Sequence, residues 1–277
     1  MYLATMQIEQ FKEKGYLLIE NLFDEKEVEL IRTEMLQVIA EDCPRRILEK
    51  NGSVRSFFAP DHSNEIFEKI VKLKRLVIPA AQLIGTDVYA HQTKINSKSA
   101  MTGDWWEWHQ DYTYWKKDDG MPAADVLTAM IYLNDVNEFN GPMLLIPGSH
   151  KIGTVDEGEN ISGDGENGNG WFEEYKTSTF YMTALTADLK YTLKQEEIAR
   201  WARQRGIESA KGPAGSVLFF HGNVFHASSN NLSPWDRYSF LVTYNSVNNQ
   251  LEAVEKPRPA FIANRNFDKI IPVHDHL

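Results

Sequence analysis

Cysteine is nearly absent from this chain: Cys43 is the only one among 277 residues. An intrachain disulfide is impossible, and so is a thiolate zinc cluster. A chain without disulfides suits a reducing compartment, so the expected location is the cytoplasm. Long apolar runs are missing as well. No stretch approaches the roughly 18 residues of a membrane span, and no membrane partner is expected. Basic runs are lacking too. Lys and Arg number 29 against 39 Asp and Glu, for a net charge of −10. Phosphate backbones need a clustered positive surface, so nucleic acid is not an expected partner. The opening stretch Met1–Tyr16 has no basic-then-apolar leader and reads as an amphipathic helix.

What is present is ordinary for a globular protein: 42% hydrophobic and 25% charged residues. Residues 5–15 have helical spacing that Gly15 ends, and Tyr16-Leu17-Leu18-Ile19 follows as a short strand. Asp24 stands where an N-cap belongs, ahead of Val28, Leu30, Ile31, Met35 and Val38 at helical intervals. A further helix is predicted over 64–84, interrupted or ended near Pro79, and another over 184–206. From residue 86 the texture turns β-like, at 88–95, 105–113, 126–133, 143–146, 216–220 and 238–244. Between them the polar run Glu157 to Gly170 predicts a loop that is either a lid or a plain insertion. The expected fold class is mainly β with flanking helices, a sandwich or jelly roll. A single domain spans 1–277, with a helical region to about 85 and a core to about 250.

The chemistry gathers at Trp108-His109-Gln110-Asp111. On a strand, positions i and i+2 share a face, which would set an imidazole beside a carboxylate. One more imidazole would complete a two-histidine, one-carboxylate face suited to Fe(II), with open positions for a bidentate 2-oxoacid and O2. Alone the pair is also compatible with an ordinary strand histidine and an exposed aspartate. Downstream, Phe219-Phe220-His221-Gly222-Asn223-Val224-Phe225-His226-Ala227-Ser228 offers two histidines. His226 is favoured over His221 because Ser228 and Arg237 stand at a fitting distance after it. Arg237 is a guanidinium for the far carboxylate of the 2-oxoacid, with the Ser228 hydroxyl assisting, or else a surface partner of Asp236. His150 reads as a turn residue. His62, His91, His274 and His276 show no partner at metal spacing.

These residues resemble the phytanoyl-CoA dioxygenase superfamily. The carrying stretches are Phe11 to Leu22, Trp108 to Asp111, Gly141 to His150, and His226-x-Ser228-x-x-Asn231-x-Ser233-x-x-x-Arg237. Within it the chain is similar to ectoine hydroxylases and hydroxylases of free amino acids, on Gln92-x-Lys94-Ile95-Asn96, Trp115, Asp119-Gly120-Met121-Pro122, Gly212 to Val217, and Pro257-Arg258-Pro259-x-Phe261-Ile262-Ala263. The resemblance implies a double-stranded β-helix and His109, Asp111 and His226 as Fe(II) ligands. It also implies 2-oxoglutarate as cosubstrate, converted to succinate and CO2 with O2, with ascorbate supportive in vitro. By the same resemblance Gln92, Asn96 and Thr128 join Arg237 and Ser228 around the cosubstrate, while Trp115, Tyr112 and Arg258 contact a small zwitterionic substrate.

One departure bears on the substrate. Ectoine hydroxylases carry Phe and His where this chain has Tyr112 and Lys116. The expected substrate is therefore a free L-amino acid such as leucine, isoleucine or proline, with ectoine as the alternative. Retention of Asp111 argues against a halogenase, which leaves that position open for halide. The rival of another class is a non-enzymatic metal- or ligand-binding protein on the same fold. A small-molecule partner and a monomer or homodimer complete the expectation.

Overall fold

The computed structural model describes residues 1–49, 51–155 and 189–277. The chain opens with helix α1 (Thr5–Lys14), strand β1 (Tyr16–Ile19) and helix α2 (Glu25–Ile39). Asp24 caps α2 by accepting from the Glu27 N–H, and the Glu27 side chain returns to the Asp24 N–H. A hairpin of β2 (Arg46–Leu48) and β3 (Val54–Phe58) follows, then α3 (Glu65–Val71) and α4 (Lys74–Ile84). The predicted 64–84 helix is thus two helices. Their break falls at Lys72-Leu73, where Leu73 is extended and bridges to Val273. Pro79 sits inside α4 without ending it.

Next come β4 (Val88–Lys98), β5 (Trp106–His109), α5 (Asp111–Asp119), β6 (Val126–Tyr132) and β7 (Met143–Leu145). The described remainder is α6 (Gln195–Arg205), β8 (Glu208–Ala210), β9 (Val217–His221), β10 (His226–Ser228) and β11 (Arg237–Ser246). The predicted helix over 184–206 begins only at Gln195; residues 184–188 lie outside the described residues, as does the polar run from Glu157 to Gly170.

All strand pairings within the two sheets are antiparallel. One sheet has seven strands in the order β1-β9-β6-β11-β4-β3-β2, the other four in the order β5-β10-β7-β8. This is the expected mainly β jelly-roll class. Strand alternation divides the large sheet's side chains between two layers. Ile95, Ala129, Ile131, Phe219, Phe240 and Val242 face the helices, against Phe11, Ile31, Met35, Phe67 and Leu76. Each large apolar side chain buried there contributes roughly 1.5–3 kcal/mol. On the other face Met130, Leu218, Phe220 and Leu241 meet Met143, Leu145 and Val224 from the small-sheet side. That inner layer also carries polar residues of β4 and β11, and the candidate site lies there.

The stretch 105–113 departs from the expected strand. β5 ends at His109, Gln110 is extended, and Asp111 is the first residue of α5. Tyr112, Tyr114 and Trp115 favour strands by local preference, yet all three are buried in a helix, since packing overrides propensity. Asp111 in the first turn, Lys116 and Lys117 in the last and Gly120 beyond it complement the helix ends.

Candidate metal centre

His109, at the end of β5, is the register partner of His226, at the start of β10. The chain then turns from β5 into α5, which carries the Asp111 carboxylate back over the pair. Asp111 Oδ1 lies 3.4 Å from His109 Nε2, and Oδ2 lies 3.8 Å from His226 Nε2. One ligand atom from each of the three lies within 4.8 Å of the others. The convergence thus comes from a strand-to-helix turn, not from two positions on one pleated strand.

The tautomers follow from the second nitrogens. His109 Nδ1 is 2.6 Å from the Glu107 carbonyl, and His226 Nδ1 is 3.0 Å from the Val224 carbonyl. A carbonyl only accepts, so each Nδ1 carries the proton and each Nε2 presents a lone pair to the shared point. Burial pushes His226 down to about 4, with His109 adding to the effect and Asp111 opposing it. At neutral pH the ring is uncharged, as a metal ligand must be. Burial by itself would raise Asp111, but the two histidines and Lys94 outweigh it and hold the carboxyl well below its ordinary range. Two imidazoles and one carboxylate, with Nε2 and carboxylate oxygens converging, fit Fe(II) and leave room for further ligands.

A cavity opens beside this triad, lined among others by Asn96, Trp106, Tyr114, Trp115, Ser228 and Arg237. Arg237 begins β11 and is 4% exposed, yet its Nε and Nη1 have no hydrogen-bond partner among the described residues. Burial lowers it to about 10, against Tyr132, so it remains a cation at neutral pH. An unpartnered buried guanidinium costs several kcal/mol unless an anion joins it. The far carboxylate of 2-oxoglutarate is such an anion, and the planar fork suits it. Ser228 and Asn96 line the same cavity; Asn96 accepts from Ser56 Oγ at 2.8 Å. Gln92 is there too, its amide donating to the Ile262 carbonyl at 2.7 Å.

Other expected site residues fall elsewhere. Thr128 is held by Thr243 through a 3.0 Å hydroxyl pair and is not part of the cavity wall. Tyr112 donates to the Met121 carbonyl and packs at Gly222, also away from the cavity; its place on α5 turns it from the side that Asp111 presents. Trp115 and Arg258 do line the cavity. Arg258, however, already has a carboxylate: Nε and Nη2 grip Asp119 at 2.7 and 2.5 Å. His221 lies under α1, its ring 5.3 Å from His150, and its Nδ1 accepts from the Asn223 N–H. Burial lowers it to about 4.

Three residues given no role from sequence also shape the site. His91 is fully buried and pairs with Asp119 at 3.1 Å. Lys94 lines the cavity and has no carboxylate in hydrogen-bonding range among the described residues. Burial lowers its ammonium, against Asp111, which favours the charge. The signal for Lys94 was its alternation with Gln92 and Asn96 on one strand face. For His91 and Asp119 no local signal exists, because their partner is distant in the chain.

A jelly roll enclosing a buried two-histidine, one-carboxylate face beside an unpaired guanidinium is the architecture of the non-haem iron, 2-oxoglutarate-dependent dioxygenases. The sequence profile of phytanoyl-CoA dioxygenase (PhyH) matches residues 11–239, and the chain belongs to that family. It is 34% identical to an ectoine dioxygenase of Stutzerimonas stutzeri (strain A1501) over 276 residues, 95% of this chain and 84% of the relative. It is also 34% identical to the L-proline trans-4-hydroxylase of Streptomyces griseoviridis over 260 residues, 94% and 92% of the two chains. The crystal structure of EctD from S. alaskensis with 2-oxoglutarate and 5-hydroxyectoine superposes with a TM-score of 0.80 at 27% identity, covering 98% of this chain and 88% of that one.

Proposed function

We propose that this enzyme hydroxylates an unactivated C–H bond of a small, free, carboxylate-bearing metabolite, in the first instance a free L-amino acid such as proline. The carrying observation is that one cavity presents both the His109–Asp111–His226 face and the Arg237 guanidinium, whose Nε and Nη1 have no hydrogen-bond partner among the described residues. Iron(II) with 2-oxoglutarate and O2 supplies the oxidising power in this class. The chain's own residues position and exclude. His109, Asp111 and His226 hold the metal, their imidazoles fixed in one tautomer by the Glu107 and Val224 carbonyls. Arg237, assisted by Ser228, Asn96 and Gln92, fixes the cosubstrate. Trp115, Leu189 and Tyr114 supply an apolar wall that limits water near the reacting C–H. Among the described residues that line the cavity, Lys94 and Arg258 are the basic side chains left to face the substrate's carboxylate.

Ectoine fits at least as well, supported by the ectoine dioxygenases among the relatives. The two substitutions that set this chain apart from the ectoine pattern do not reach the cavity: Tyr112 is engaged with Met121, and Lys116 is exposed on α5. They therefore carry no weight against it. Proline and ectoine are both small ring zwitterions with one carboxylate, so the same walls serve either. The test is succinate formation by the iron-loaded protein given L-proline, L-leucine, L-isoleucine and ectoine in competition, with mass spectrometry for the added oxygen. Activity confined to a CoA thioester would overturn the proposal, and no succinate with any substrate would favour a binding protein.

A further inference from the structure

Arg258 sits in an irregular stretch after β11, where no helix or strand fixes its long side chain. What fixes it is Asp119, the last residue of α5. The two-point grip uses Arg258 Nε and Nη2 and leaves Nη1 with no hydrogen-bond partner among the described residues, on a residue that lines the cavity. His91 Nε2 meets the same carboxylate, and its ring stands edge-on to Trp115 at 5.7 Å. The backbone joins the same corner: the Glu252 N–H donates to the Gly120 carbonyl at 2.8 Å. Gly120 has φ +79°, and a Cβ there would come within 2.5 Å of the Glu252 carbonyl.

We propose that Asp119, backed by His91, is a positioning residue that holds Arg258 so that its free Nη1 edge meets the substrate's carboxylate. This deepens the proposed function and rests on its reading of the substrate as a carboxylate. Asp119 neutralises Arg258, so the clamp supplies direction more than net charge, and Lys94 supplies the charge. Because α5 begins with the metal ligand Asp111 and ends with Asp119, the same rigid helix sets both the metal and the arginine that orients the substrate.

The test uses the full chain loaded with Ni(II) and 2-oxoglutarate, into which L-proline and ectoine are titrated calorimetrically without turnover. Asp119→Asn should weaken binding of whichever ligand the parent protein takes by roughly three- to tenfold, the cost of ordering one long side chain on binding. Its affinity for 2-oxoglutarate, measured in the same way, should stay within about twofold, which also reports an intact fold. Arg258→Met should weaken the ligand at least as much, and the double variant no further than Arg258→Met alone. Unchanged ligand binding in Asp119→Asn, equal loss of both ligands, additive losses in the double variant, or no carboxylate ligand bound by the parent protein would each overturn the clamp. A parent protein that binds the ligand but never oxidises it would overturn the proposed function and leave the clamp standing.

Discussion

Asp111 and Asp119 occupy the two ends of one nine-residue helix, the first turned to His109 and His226 and the second to Arg258. The metal face and the distant Pro257-Arg258-Pro259 stretch are therefore linked through a single rigid element. Four expectations follow from this arrangement and from the cavity beside it.

His109→Ala, Asp111→Ala and His226→Ala should each lose iron and turnover. Removing a partner behind a metal ligand typically costs about 10–100-fold in affinity, so removing a ligand should cost more. His221→Ala, which lies under α1, should keep its metal. Iron content after gel filtration decides the matter; loss of metal in His221→Ala would reassign the ligand.

Arg237→Ala should raise the 2-oxoglutarate requirement far more than that for the substrate. Truncating one member of a buried charge pair costs about 2–5 kcal/mol, very roughly 30- to several-thousand-fold. Arg237→Lys should rescue only in part, since the two-point fork is lost. Equal rises in both KM values would count against the role.

Lys94→Met should weaken substrate binding by roughly ten- to a hundredfold, the range for one hydrogen bond to a charged group. Its 2-oxoglutarate KM should change less, because the charged groups that act on Lys94 are Asp111, Arg258 and Arg55, and Arg237 is not among them. Steady-state kinetics varying each ligand in turn separates the two.

The Asp119–Arg258 pair should leave a mark on acid stability. Burial alone would raise Asp119, but Arg258 and His91 prevail and hold it at about 2. Its folded value lies below its unfolded one. The stabilisation is therefore complete above about pH 4 and is lost as pH falls towards about 2. Linkage puts it on the order of 2 kcal/mol. Urea unfolding at a series of pH values should show Asp119→Asn less stable than the parent at pH 7, with the gap closing below pH 4. A gap independent of pH would sink this account.

The fold class was legible because most of its causes are local. Asp24 with Glu27, the stop at Gly15, and the β-like composition of residues 88–95 and 238–244 can each be read within a few residues. Short strands were harder. Arg46–Leu48, Glu208–Ala210 and His226–Ser228 have three residues each, too few for a period to register.

For the site, residue types and spacing, together with the family resemblance they carry, brought His109, Asp111, His226, Ser228 and Arg237 forward as a set, because the chemistry needs those groups whatever holds them. Tertiary structure decided the rest. It turned Asp111 from a strand position into a helix start. It removed Tyr112 and Thr128 from the cavity wall by giving their hydroxyls internal partners. It also supplied Arg258 with the carboxylate of Asp119, 139 residues away in the chain. The physical reason is range. Caps and alternation act over a few residues, whereas the partner of a buried charge is chosen by whichever distant segment the packed sheets bring against it.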